Sequence, residues 1–279
     1  MALQIENSAA MNELIDNSQW PLNSLLVSHK HRVIYTPIGK NANTTLKRMF
    51  VRLSGYPRSD EILKGNIHTY LTSNRTGLSL CDYTPEEATG ILADDSYFRY
   101  VVLRDPLARA MSGYVEKFVI NGAPAGENRE PPDVIRPAID WVYERRGEKP
   151  DYERSISFEE FVDHLVHNDD RHLDTHFKSQ EAYLEQQRFD YMGVVEDMRP
   201  LIDVLEPHFD QKIEMEFKNR TARKKTLFRR RGQGRLLPAK LRAQRALPHS
   251  RELLTDEINE QLKHRFARDI QRWQEARNS

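Results

Sequence analysis

Lys40 is the first residue in the chain placed to do chemistry. It is the lone cation in the run Thr36-Pro37-Ile38-Gly39-Lys40-Asn41-Ala42-Asn43-Thr44-Thr45, between an apolar stretch and an amphipathic one. One lysine among small and hydroxyl residues suits the capture of an anion, most often a nucleotide phosphate. A second constellation follows at Arg104-Asp105-Pro106, with Arg109, Ser112 and Tyr114 behind it. Of three further candidates, His68 lies amid apolar and hydroxyl neighbours, and His172 and His176 in a run dense in polar groups that could bind or catalyse. Each of them also fits an ordinary packing or surface role.

The elements that must position these groups are legible. Arg32 to Thr36 reads as a short apolar strand, and Leu46, Met49, Phe50 and Leu53 fall at i, i+3, i+4 and i+7, one stripe of a helix. Asn43, Thr44 or Thr45 is expected to cap that helix. Tyr97 to Leu103 is a second buried strand, running into a helix with Asp105 as cap and Pro106 at its first position. Two strand-to-helix turns carrying cations belong at the carboxyl ends of strands in an open α/β sheet. Thr84-Pro85-Glu86-Glu87 and Ser157-Phe158-Glu159-Glu160 open further helices, Phe189 to Glu196 is a third strand, and Met198 to His208 is an amphipathic helix. Ser250 to Trp273 reads as one long capped helix.

The Gly39-Lys40 pair does not make a Walker A loop, because Ile34 occupies the position of that motif's first glycine. Taken alone the segment fits an ordinary strand–turn–helix with an exposed lysine equally well.

The chain has 279 residues with 42 basic and 42 acidic side chains, so no global field draws it to nucleic acid or membrane. Residues 218–245 nevertheless hold many Lys and Arg and no Asp or Glu. Cys81 is the single cysteine, which excludes an intrachain disulfide. The first 20 residues lack the apolar core of a signal peptide, and no apolar run approaches the ~20 residues of a membrane helix. A cytoplasmic protein is the expectation, with a lead-in over 1–28 and a single domain over 29–279. A Gly/Pro-rich insertion at 121–157 carries a candidate short helix around Ile139 to Tyr143 and is either a surface loop or a wall of an acceptor cleft.

These motifs together resemble the sulfotransferases that use 3′-phosphoadenosine 5′-phosphosulfate (PAPS), in particular their carbohydrate branch, sulfotransferase family 2. Lys40 to Arg48 is similar to its 5′-phosphosulfate loop, although Gly39 stands where proline is usual. Arg104-Asp105-Pro106, Arg109, Ser112 and Tyr114 stand in the register of its 3′-phosphate motif. Ser157 to Val162, Asp174 to Gln180, Asp190 to Gly193 and Leu262 to Trp273 extend the similarity over most of the chain.

The resemblance implies an α/β fold, a P-loop-like three-layer sandwich with a central, mostly parallel sheet flanked by helices. It implies in-line transfer of a sulfuryl group from PAPS to a hydroxyl, without a metal, on an oligosaccharide or polysaccharide acceptor. Lys40, Asn41, Ala42, Asn43, Thr44 and Thr45 would hold the 5′-phosphosulfate, and Lys40 would neutralise the leaving phosphate. Arg104 and Ser112 would bind the 3′-phosphate. Arg231 joins them through the likeness of Phe228 to Gly232 to a segment that grips the 3′-phosphate in cytosolic sulfotransferases. His68 is the first choice of general base, His176 the second and His172 the third. The basic stretch reads as a loop closing over the nucleotide or a track for an anionic polysaccharide; a nucleic-acid patch is disfavoured because no aromatic residues interleave in a stacking pattern. A P-loop-like kinase using ATP and Mg²⁺ and a non-catalytic polyanion-binding module are the alternatives. Neither the acceptor nor the oligomeric state is legible in the sequence.

Overall fold

A computed structural model describes residues 14–122, 130–185, 187–214, 232–244, 247–248 and 250–279. Four strands form one sheet in the order β1 (Leu26–Ser28), β2 (Val33–Thr36), β3 (Phe98–Leu103), β4 (Tyr191–Val194). β1 pairs antiparallel with β2, while β2–β3 and β3–β4 are parallel. The helices are α1 (Asn43–Leu53), α2 (Ser59–Lys64), α3 (Ile67–Ser73), α4 (Pro85–Ala93), α5 (Pro106–Tyr114), α6 (Arg136–Arg145) and α7 (Phe158–His167). They continue with α8 (Glu181–Leu184), α9 (Arg199–Phe209), α10 (Pro238–Arg242), α11 (Ser250–Leu253), α12 (Asp256–Arg265) and α13 (Ala267–Asn278).

Strand alternation explains the layers. Val33, Tyr35, Tyr100 and Val102 face one side, where Met49, Phe50 and Leu53 of α1 and Leu201, Leu205 and Phe209 of α9 cover them. Ile34 faces the other side, against Ala88 and Ile91 of α4. Val101 and Leu103 share that side with Tyr183 and Leu184 of α8 and Trp273 and Ala276 of α13. A sheet buried on both faces is what apolar parallel strands require. A further core, around Tyr114, Phe118, Phe158, Phe161 and Phe177, joins α5, α6 and α7 to α10–α12.

Local chemistry accounts for most boundaries. Thr84 and Ser157 make reciprocal capping boxes with Glu87 and Glu160, and Asp105 accepts from the Ala108 amide ahead of Pro106.

Two expectations are corrected. The Ser250–Trp273 helix is three helices: Thr255 leaves helical geometry to cap α12, and Phe266 (φ −109°, ψ 29°) breaks it from α13. The lead-in contains β1, whose three residues are all buried. The short helix expected around Ile139 to Tyr143 within the 121–157 insertion is α6, longer than that span and burying Ala138, Ile139, Val142 and Tyr143. The helix after β3 runs on past Tyr114 as a π-helical turn, Val115–Ile120. Most of the 218–245 stretch lies outside the described residues, Arg231 included. Among the described residues no helix is long and apolar enough to cross a membrane.

Candidate functional site

The two motif loops are neighbours because their strands are. β2 and β3 run parallel with Thr36 paired to Val101, so the turns after Thr36 and Leu103 emerge side by side at the carboxyl edge. Arginines from the second loop and from α5 then hold the first. Arg104 Nη1 donates to the Lys40 carbonyl at 2.8 Å. Arg109 donates through Nε to the Gly39 carbonyl at 3.0 Å and through Nη1 to the Lys178 carbonyl at 2.6 Å. Lys40 itself has φ 71° and Ala42 φ 55°, a left-handed pair that folds the loop tightly onto the start of α1.

Ala42 is the N-cap residue of α1 and has no side chain with which to cap it. The expectation of a cap from Asn43, Thr44 or Thr45 is thus corrected, since those residues already lie inside the helix. The consequence is chemical: the first amides of an eleven-residue helix, at the positive end of its dipole, open beside Lys40. Asn41 points elsewhere. It is fully buried, and its Nδ2 donates to Val102 O (2.9 Å) and Gln180 Oε1 (2.6 Å).

The site is cationic. Lys40 Nζ is bonded to Glu116, and Lys117 Nζ lies 3.3 Å from that carboxylate's other oxygen. Burial lowers the Lys40 pKa, and Lys117 and Arg104 add to this; Glu116 offsets them only in part. Burial alone would raise the Glu116 carboxyl, but Lys40 and Lys117 outweigh it and hold it low. Lys47, one turn along α1 from Asn43 and Thr44, is pushed down to about 8 by burial. Among the described residues, two ammonium groups, Lys40 and Lys117, share the one Glu116 carboxylate here.

Two of the three histidines reach the loop. His68, in the first turn of α3, has Nε2 3.0 Å from Thr44 Oγ1. Burial, then Lys47, His176 and Lys117, lower the pKa of its imidazole. His176 has Nδ1 2.7 Å from Asp174 Oδ1, and a Cβ on Gly39 would lie 3.8 Å from its Cδ2. An Nδ1–H donated to a carboxylate fixes the tautomer and leaves Nε2 as the proton acceptor. Burial would raise Asp174, but its bonds from the His176 ring and amide hold it low. His172 is not brought in; it is largely exposed and pairs with Asp169 at 3.2 Å. Ser112 is half-buried on α5, on the helix that carries Arg109.

Gln180 ties the two loops together. Its Oε1 accepts from Asn41 Nδ2 and the Arg104 amide (3.0 Å), and its Nε2 donates to the Arg104 carbonyl (2.9 Å). Its own amide and that of Glu181 donate to the buried Asp269 carboxylate of α13, at 2.7 and 2.9 Å.

Comparison with known proteins agrees with this geometry. A family model described as "Sulfotransferase family" matches residues 23–274. The chain belongs to the sulfotransferase family. Among curated members it is similar to carbohydrate sulfotransferase 10 of Xenopus laevis, 30% identical over 162 residues, which are 57% of this chain and 43% of that one. The human carbohydrate sulfotransferase 10 is 29% identical over 164 residues, 57% of this chain and 42% of its own. Carbohydrate sulfotransferase 14 of Mus musculus is 28% identical over 158 residues, 56% of this chain and 38% of its own. The match therefore spans less than half the length of these relatives. No solved structure matches the chain.

Sequence reasoning missed several groups of this candidate site. Glu116 and Lys117 arrive through the π-helical turn, which no periodicity announces. Asp174 and Gln180 lie within a quoted motif, but their roles depend on long-range contacts. Asp174, two residues before a histidine amid polar residues, was the one signal available.

Proposed function

We propose that this protein transfers the sulfuryl group of PAPS to a hydroxyl of a carbohydrate acceptor. The observation that carries the reading is the bond from Arg104 to the Lys40 carbonyl, which makes the two anion-binding loops one site. The donor set suits a nucleotide with anionic groups at two positions: Lys40 shares the Glu116 carboxylate with Lys117, and α1 opens amides that no Ala42 side chain caps. The likeness to carbohydrate sulfotransferases 10 and 14 supports a sugar hydroxyl as acceptor.

The roles follow from position. Lys40 and the amides of residues 43–45 would hold the 5′-phosphosulfate, with Thr44 and Thr45 beside them; Arg104 and Ser112 would hold the 3′-phosphate. PAPS supplies the sulfuryl group: an acceptor-oxygen–sulfur bond forms as the bond from sulfur to the 5′-phosphate oxygen breaks, releasing 3′,5′-ADP. His176 Nε2 takes the hydroxyl proton, and Asp174 steadies the imidazolium that results. The geometry favours His176 over His68, whose Nε2 is engaged with Thr44. Lys40 stabilises the charge that develops on the leaving phosphate, the kind of preorganised contact that dominates such transfers.

The test is transfer of ³⁵S from labelled PAPS to a panel of desulfated glycans, with wild type and Lys40→Ala side by side. Labelled product from wild type, lost in a folded Lys40→Ala, supports the reading. Equal transfer by both removes it.

A further inference from the structure

The ion pair on Lys40 has a consequence for how the donor binds. We propose that Glu116 is a positioning residue for Lys40, an internal counter-ion that the 5′-phosphosulfate must displace. The inference rests on the donor reading above and adds a residue outside the two phosphate motifs.

Four observations carry it. First, Lys40 Nζ is already committed to the Glu116 carboxylate, so a phosphosulfate seeking the same ammonium meets a competitor of its own sign. Second, the Lys40 backbone cannot adjust: Arg104 holds its carbonyl, Arg109 holds that of Gly39, and φ is 71°. Only the side chain can change partner. Third, the pair is asymmetric. The lysine side chain is 12% exposed and the glutamate 40%, so the carboxylate can turn to water while the ammonium stays. Glu116 also keeps Lys117 at 3.3 Å, which lowers what it loses on parting from Lys40.

Fourth, the presentation is built into the backbone. The Asn121 amide bonds to the Glu116 carbonyl across five residues at 2.9 Å, the wide spacing of the π-helical turn. Such turns recur at functional sites because one inserted residue swings the following side chains about 100° around the axis. Here Glu116 and Lys117 lie within the turn itself, and the Glu116 carboxylate meets the lysine of another loop.

Donor affinity is then a difference between what Lys40 gains from phosphate and what it gives up at Glu116. Removing the competing charge tightens nucleotide binding. For a partly exposed pair the gain is roughly three- to tenfold in Kd.

The experiment is calorimetric titration of the whole chain with 3′,5′-ADP, which keeps the 5′-phosphate. Wild type, Glu116→Gln, Glu116→Asp, Lys40→Ala and the Glu116→Gln/Lys40→Ala pair are compared, each first shown folded by its thermal transition. Glu116→Gln is expected to bind roughly three- to tenfold tighter than wild type, with Glu116→Asp between them. The gain is expected to vanish in the Lys40→Ala background. A merely structural glutamate would weaken binding or leave it alone. Unchanged or weaker binding by Glu116→Gln, with wild type binding normally, overturns the role of Glu116. A gain that survives without Lys40 also overturns it, because general repulsion then suffices. Wild type that binds no 3′,5′-ADP overturns the donor reading and the displacement with it.

Discussion

At the scale of single residues, function concentrates on Lys40 and His176. Lys40→Ala is expected to lower the transfer rate by roughly 10²–10³-fold, the range for losing one preorganised charge-stabilising donor. Its melting temperature should hold, because the loop is fixed through the carbonyls of Gly39 and Lys40 and not through the ammonium. For the base, His176→Ala should cost roughly 10²–10⁴-fold in turnover, and His68→Ala clearly less. The steady-state rates of the two variants decide the assignment, and the reverse ranking would return the role to His68. Asp174→Asn should fall between His176→Ala and wild type, since it leaves the imidazole in place and removes only the carboxylate that orients it.

At the scale of elements, Gln180 and Asp269 act as a brace between α13 and the two loops. Gln180 is 1% exposed and Asp269 2%. Gln180→Ala leaves the buried Asn41 Nδ2 with Val102 O alone and takes a partner from two Arg104 backbone groups, at about 1–3 kcal/mol for each buried group left unpaired. It is expected to lower the thermal midpoint and to weaken nucleotide binding together. Loss of stability with unchanged affinity for 3′,5′-ADP would show that the brace does not set the loop. What could be read from the sequence sorts along the same line. The α1 stripe, the Asp105-Pro106 start and the capping boxes at Thr84 and Ser157 rest on neighbours three or four residues apart, and all were legible. The breaks at Thr255 and Phe266, the Ala42 cap and the π-helical turn were not. At Thr255 a side-chain cap to the Ile258 amide interrupts an apolar stripe that runs on across it, and at the other places the local pattern runs on smoothly too. The site divides likewise: Lys40 and Arg104 sit in contiguous motifs, whereas Gln180 meets Arg104 across 76 positions.

At the scale of the whole molecule, the sheet buries both faces and two motif loops share its carboxyl edge, so stability and site are coupled. One buried group ties that stability to pH. His164 is 4% exposed beside the Trp141 ring, and burial pushes its imidazole down to about 4 from 6.5. A depressed pKa means the folded state binds fewer protons. The contribution is fully present above about pH 6.5 and is lost as pH falls toward 4, by up to about 1.4 kcal/mol per unit. Denaturant titrations at pH 7, 6 and 5 should show wild type losing stability faster than His164→Gln; parallel losses would contradict the assignment.

The central claim is that one site holds a 3′-phosphorylated adenine nucleotide across both loops. Its most direct test is the thermal midpoint with 3′,5′-ADP, with ATP plus Mg²⁺ in parallel, for wild type and Arg104→Ala. At a hundredfold excess over Kd a ligand of the native state adds about 2.7 kcal/mol. The account predicts a clear rise with 3′,5′-ADP that is lost in Arg104→Ala. A rise with ATP and Mg²⁺ alone, or none with either, would contradict it.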